Sequence, residues 1–203
     1  MAAKLILIRH SAVQANTEKR YTGSRSDPSL TAEGRKQAED LAQRISRGQN
    51  VDRVLASPLA RAHETAEKIA QEKTLAVDYD PRLKEIDFGR WDGKTFSEIP
   101  PADKSYITQW VEEPLTFRFP EGEAISAFLE RTNAVAKDCI NSPDRTICVV
   151  THGGNVRAMI CYCLGIDFSH QHAFAVPPGT VVFLETEHMP GRLISLEPPA
   201  IGS

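Results

Sequence analysis

Two histidines and two arginines stand where they could act together. Arg9-His10 ends the apolar run "LILI", Arg61 lies four residues beyond the end of "VLAS", and His152 sits between "ICVVT" and Gly153-Gly154. A guanidinium presents a planar fork of donors that matches two oxygens of a tetrahedral dianion. Two such groups can hold a phosphoryl group and offset its charge in the transition state. A neutral imidazole can attack phosphorus and carry the group covalently. Nearby cations favour that neutral form. A second imidazole can donate hydrogen bonds to the transferred group. The leaving alkoxide then needs a proton from a neighbouring acid.

Taken singly, each residue has a plainer reading. His10 alone reads as a satisfied strand-end histidine, and Arg9 as a surface charge. Arg61 is odder, because a cation near a helix N-terminus opposes the macrodipole, and a broken local rule often marks a functional site. The glycines after His152 allow close backbone approach and open a helix whose N-terminus suits an anion. Jointly the four residues make the functional reading the stronger one.

The elements that must position them follow from periodicity. "KLILI", "VDRVLAS" and "RTICVV" read as strands, and "TVVFLET" and "RLISLE" as a final hairpin through "EHMPG". "SLTAEGRKQAEDLAQRISRG" reads as a helix with Thr31 as N-cap and Gly48 at its end. "PLARAHETAEKIAQEK" reads as a helix with Ser57 as cap and Pro58 in its first turn. "AISAFLERTNAVAKDCI" and "NVRAMICYCLG" complete the helices, the last closed by Gly165. The tail "PPAIGS" is expected to fray. Strands alternating with helices predict a three-layer α/β/α fold with a mostly parallel central sheet. Ligands of such sheets bind beyond the carboxyl ends of the strands, where Arg9, His10, Ser57, Arg61 and His152 all fall. Residues 84–123 lose periodicity and gather Gly, Pro and aromatics, which predicts a lid inserted into one domain spanning 1–203.

Composition narrows the function classes. A chain of 203 residues with 41% hydrophobic and 25% charged residues and a net charge of -3 is an ordinary globular protein. It has no global pull toward nucleic acid or acidic membrane. No apolar run spans a bilayer or resembles a secretory signal, so a cytoplasmic location is expected. Cys139, Cys148, Cys161 and Cys163 form no C-x-x-C pair and read as reduced packing residues. His170 and His172 have no carboxylate beside them at a familiar ligand spacing, so neither a metal nor another cofactor is expected.

"LIRH", "ASPLARAHETA", "LKEIDFGRWDG" and "VVTHGG" resemble the histidine phosphatase superfamily, the phosphoglycerate-mutase-like fold. Four motifs in order, covering nearly the whole chain, make the resemblance specific. It implies that His10 is a nucleophile that becomes phosphohistidine. Arg9, Arg61, His152 and Asn16 would complete the phosphate pocket, with Thr22, Gly23 and Gly153 near the substrate. Glu85 matches the usual proton donor. Asp87 would share its face in an extended segment and otherwise reads as a solvated loop carboxylate. His63 points elsewhere. Phe88 and Trp91 read as packing first, with Trp91 also placed to line the cleft. Arg20, Arg25 and Arg90 are further contacts to weigh for an anionic substrate.

Where the family commonly has Gly-Glu-Ser or Gly-Glu-Thr after "RH", this chain has Ser11-Ala12-Val13. Val13 lacks the hydroxyl of mutase-like members, and the chain is shorter than typical mutases. Both departures lean toward hydrolysis. "EIDFGRWDG" followed by "FPEGEAISAFLER" looks closest to the α-ribazole and broad-specificity phosphatase branch. The expectation is therefore a metal-independent phosphomonoesterase acting on a small phosphorylated metabolite, as a monomer or homodimer. The competing readings are a phosphoglycerate mutase, a non-catalytic phospho-ligand sensor and a metallohydrolase.

Overall fold

The run Lys4–Arg9 is apolar on both faces, and in the computed structural model, which describes residues 4–199, it forms strand β1 well inside a six-stranded sheet. In chain order the other elements are α1 (Gln14–Thr17), α2 (Ala32–Gly48), β2 (Arg53–Ala56), α3 (Ala60–Lys73) and β3 (Val77–Tyr79). Helices α4 (Lys104–Glu112) and α5 (Ile125–Ile140) follow, then β4 (Thr146–Thr151), α6 (Gly153–Leu164), β5 (Val181–Glu185) and β6 (Arg192–Glu197). The strand order is β3-β2-β4-β1-β5-β6. β3, β2, β4 and β1 run parallel, and β5 and β6 are antiparallel additions at one side.

The pleat sorts the core into two layers. Leu5, Leu7, Ile147 and Val149 pack with Val135 and Cys139 of α5 and Met159 and Cys163 of α6. Ile6, Ile8, Cys148 and Val150 pack on the other side with Leu41 and Ile45 of α2 and Ala66 and Ile69 of α3. Each fully buried Leu, Ile or Val contributes about 1.5–3 kcal/mol, so the strands that carry the site are anchored from both faces by buried side chains.

Thr31 caps α2, its Oγ1 accepting from the Gly34 amide at 2.9 Å. Gly165 closes α6 at φ 66°, a left-handed conformation that glycine adopts without a Cβ clash. The expected cap of α3 is different. The helix starts at Ala60, with Leu59 at the N-cap position and no side-chain cap from Ser57. Asp27 Oδ1, from a distant loop, accepts from the Ala60 amide at 2.6 Å instead. Ser57 is engaged elsewhere: its Oγ is 2.8 Å from His152 Nε2.

Between Leu83 and Ile125 the chain leaves the sheet in short 3-10 turns and α4. Its aromatics build their own core: Phe88, Trp91, Phe117 and Phe119 with Phe128 of α5. Trp91 is wholly buried there and donates from Nε1 to Asp103 at 2.9 Å. The cleft-lining place foreseen for Trp91 belongs to Trp110. The expectation for the tail falls partly on residues 200–203, outside the described residues.

Candidate active site

Three parallel strands end in register. Arg9 lies opposite Thr151, His10 donates its amide to Thr151 O at 2.8 Å, and Ser57 donates to Val150 O at 3.0 Å. That ladder brings Arg9, His10, Ser57 and His152 to one edge, with Arg61 in the first turn of α3 behind them. The His10 and His152 rings lie 5.2 Å apart, centroid to centroid.

The loop after His10 is fixed by side chains. Thr65 Oγ1 accepts from the Ser11 amide, Gln37 Oε1 from Ala12 and Asn16 Oδ1 from Val13. This makes the orientation of His10 definite. Its Nδ1 lies 2.7 Å from Ser11 O; a carbonyl can only accept, so Nδ1 carries the proton and Nε2 keeps its lone pair. Burial, then Arg61 and Arg9, hold the His10 pKa well below its ordinary 6.5. The ring is therefore neutral near pH 7, with Nε2 the basic atom. His152 is pushed the same way, by burial first and then by Arg61.

The guanidiniums are anchored through their ends. Arg9 Nη1 donates to Val176 O at 2.7 Å. Arg61, wholly buried, donates to Ser26 O, Thr22 O and Gly23 O at 3.0, 3.3 and 3.0 Å. Desolvation lowers the Arg9 pKa to about 10 and lowers that of Arg61 as well, so both remain cations. Arg9 Nε, Arg61 Nε, His152 Nδ1 and Ser11 Oγ are buried polar atoms without a partner among the described residues. Proteins rarely leave such atoms unpaired, and here they gather around one edge of one sheet.

Glu85 stands at the start of α6. Its Oε1 accepts from the Ile86 amide and its Oε2 from the Gly154 amide, both at 3.1 Å. A Cβ on Gly154 would lie 2.5 Å from Oε1. Gly154 thus makes room for this carboxylate, while Gly153, the glycine expected near the substrate, lines the cavity.

A cavity of about 190 Å³ lies in front of these groups, lined by Arg9, His10, Asn16, Thr22, Glu85 and Gly153 among others. Gly23 is not at its wall but contributes the carbonyl that holds Arg61. Asp87 is turned away, paired with Arg25 Nε at 2.6 Å. Arg90 is taken by Asp103 at 2.7 Å, and His63 packs edge-on against Tyr79. Arg20 does line the cavity, tied to Glu18 and Glu98.

The cavity has further walls that the sequence reading missed. Tyr21, Phe88 and Trp110 supply aromatic surface; Arg157, Gln171 and His172 supply polar groups. Arg157 Nε donates to Phe174 O at 3.0 Å. No local pattern marks it: Arg157 is the fifth residue of α6, beyond the first turn where the helix dipole singled out Arg61. Among the described residues no group of three or more His, Cys, Asp or Glu side chains is placed to hold a metal ion.

The depressed histidine pKa values carry a stability consequence. Below pH 6.5 the unfolded chain protonates both rings while the folded protein keeps them neutral, so stability falls as pH drops from 6.5 toward their folded pKa values. Each ring contributes a slope of up to about 1.4 kcal/mol per pH unit in that window. Urea midpoints of wild type and His152→Ala from pH 7 to 5 should show the shallower slope in the variant. Equal slopes would contradict neutral burial of His152.

Residues 5–197 match the family described as "Histidine phosphatase superfamily (branch 1)". Phosphoserine phosphatase 1 of Hydrogenobacter thermophilus is 34% identical over 194 residues, covering 95% of this chain and 91% of that protein. A probable phosphoglycerate mutase GpmB of Serratia proteamaculans is 31% identical, covering 80% of this chain and 75% of its own. The crystal structure of a putative alpha-ribazole-5'-P phosphatase from Escherichia coli superposes with a TM-score of 0.87 at 29% identity, over 100% of both chains.

Proposed function

The chain belongs to branch 1 of the histidine phosphatase superfamily, and from that premise we propose that it hydrolyses a small phosphomonoester through a phosphohistidine on His10. One observation carries the reading: a neutral imidazole with a defined bare Nε2 stands in a pocket with two anchored guanidiniums. Nε2 attacks phosphorus in line, a P–N bond forms and the P–O ester bond breaks. Arg9, Arg61, His152 and Asn16 hold the phosphoryl oxygens. Ser57 Oγ, which accepts from the Leu59 amide at 3.3 Å, donates to His152 Nε2 and leaves the Nδ1 proton for the phosphoryl group. Protonated Glu85 gives its proton to the leaving oxygen. In the second step the Glu85 carboxylate takes a proton from water, whose oxygen attacks phosphorus as the P–N bond breaks. Phosphate leaves, and His10 and Glu85 regain their starting states.

Thr22 and Gly153 flank the phosphoryl site. The leaving group lies along Tyr21, Phe88 and Trp110 on one side and Arg157, Gln171 and His172 on the other. That mixture of aromatic and cationic walls fits a metabolite with an apolar or planar part and further polar groups. The named relatives supply the first esters to test, phosphoserine and α-ribazole phosphate.

The test is phosphate release from a phosphomonoester panel that includes these esters and 3-phosphoglycerate, in excess chelator. Net phosphate from at least one ester is the expected result. Interconversion of 2- and 3-phosphoglycerate without net phosphate would assign the site to a mutase. Tight ester binding without turnover would make it a sensor, and loss of activity to the chelator would overturn the metal-independent reading.

A further inference from the structure

Glu85 follows a single 3-10 turn, Pro81–Leu83, and itself lies in no helix or strand, yet the carbonyls of the four successive residues 82–85 are all occupied by side chains. Thr151 Oγ1 donates to Leu83 O at 2.8 Å. Arg131, on α5, takes the other three: Nη1 donates to Arg82 O and Lys84 O, both at 2.6 Å, and Nη2 to Glu85 O at 3.2 Å. Its Nε and Nη2 also meet Glu123 at 2.7 and 2.8 Å. All five guanidinium donors are thereby spent. Glu123 closes the frame, its Oε2 accepting from the Asp87 amide at 3.3 Å and its own amide donating to Asp87 O at 2.9 Å. The two side chains are only 20% and 17% exposed, so the pair is well shielded from solvent.

We infer that Arg131, braced by Glu123, is a positioning residue that sets the Glu85 carboxyl against the leaving oxygen. The inference rests on Glu85 being the acid. Arg131 acts on the backbone of residues 82–85 and touches no reacting atom. Thr151, the last residue of β4, ties the same segment to the strand that delivers His152, so the acid and the phosphate pocket share one frame. A group held this way loses function when the frame loosens by a fraction of an ångström.

Leaving-group dependence separates positioning from general support of the fold. Phenyl phosphate and p-nitrophenyl phosphate have nearly the same shape, but phenoxide needs a proton more than p-nitrophenoxide does. The ratio of their kcat/KM values should shift against phenyl phosphate on the order of 100-fold in Glu85→Gln and about 10-fold in Arg131→Met. Glu123→Gln and Arg131→Lys, milder changes that spare the fold, should shift it by a smaller factor in the same direction. In the Glu85→Gln background, Arg131→Met should shift the ratio no further, since the two act through one proton transfer. Equal loss on both esters in every Arg131 and Glu123 variant, with the Glu85→Gln shift intact, would overturn the inference alone. No shift in Glu85→Gln would overturn the acid assignment and the inference with it.

Discussion

Replacing His10 with alanine is expected to lower phosphomonoester turnover by about 10⁴-fold or more, as loss of a covalent nucleophile does in enzymes that depend on one. The cysteines are buried, with thiol pKa values pushed up to about 11 or 12 by desolvation, so they supply no thiolate. His152 has its Nε2 committed to Ser57. The fold should tolerate the change, because His10 gives its side chain a single hydrogen bond, to Ser11 O. Binding should survive in part, since Arg9, Arg61 and His152 remain. Steady-state rates together with calorimetric titration of inorganic phosphate measure both. Residual turnover within about 10-fold of wild type would remove His10 from the chemistry.

Arg61→Met should damage stability and catalysis together. Methionine fills part of the volume but donates nothing, so Thr22, Gly23 and Ser26 lose a donor to their carbonyls. Leaving buried acceptors unpaired costs about 1–3 kcal/mol each, partly recovered by relaxation, for a net loss of about 3 kcal/mol. Removing one charged donor from the transition state should cost about 10³-fold in kcat/KM. The acid limb of the pH profile adds a signed check. Arg61 is the second cause, after burial, of the depressed His10 pKa. Without it that pKa rises toward 6.5, protonation disables the nucleophile at higher pH, and the acid limb moves up. Arg61→Lys restores charge without the fork and should hold that limb near its original place while recovering little of the rate. Unchanged urea midpoints in Arg61→Met would refute the carbonyl-holding role.

Much of this was legible in sequence because it depends on local pattern. The apolar runs before Arg9-His10 and Thr151-His152 are strands buried on both faces, and their ends coincide with the polar residues. The resemblance added Glu85 and Asn16, which no periodicity marks. What stayed hidden depends on tertiary placement. Ser57 looks like a helix cap, yet its hydroxyl lies between the Leu59 amide and His152, and the first helical amide, that of Ala60, is met by Asp27. Trp91 and Trp110 are indistinguishable as lid aromatics until the 3-10 turns are folded, which bury the first and face the second to the cavity. Arg131 reads as an ordinary polar position on α5, because the carbonyls it serves lie 46 to 49 residues earlier in the chain.

The central claim is covalent transfer to His10, and rapid-quench labelling tests it most directly. Enzyme mixed with a 32P-labelled ester and quenched within milliseconds should carry label that is stable to alkali, lost in acid, and located on the peptide containing His10. The label should form no more slowly than the enzyme turns over and be absent from His10→Ala. Turnover with no such label at any quench time, in a protein whose Glu85→Gln variant accumulates none either, would contradict the account and point to direct attack by water.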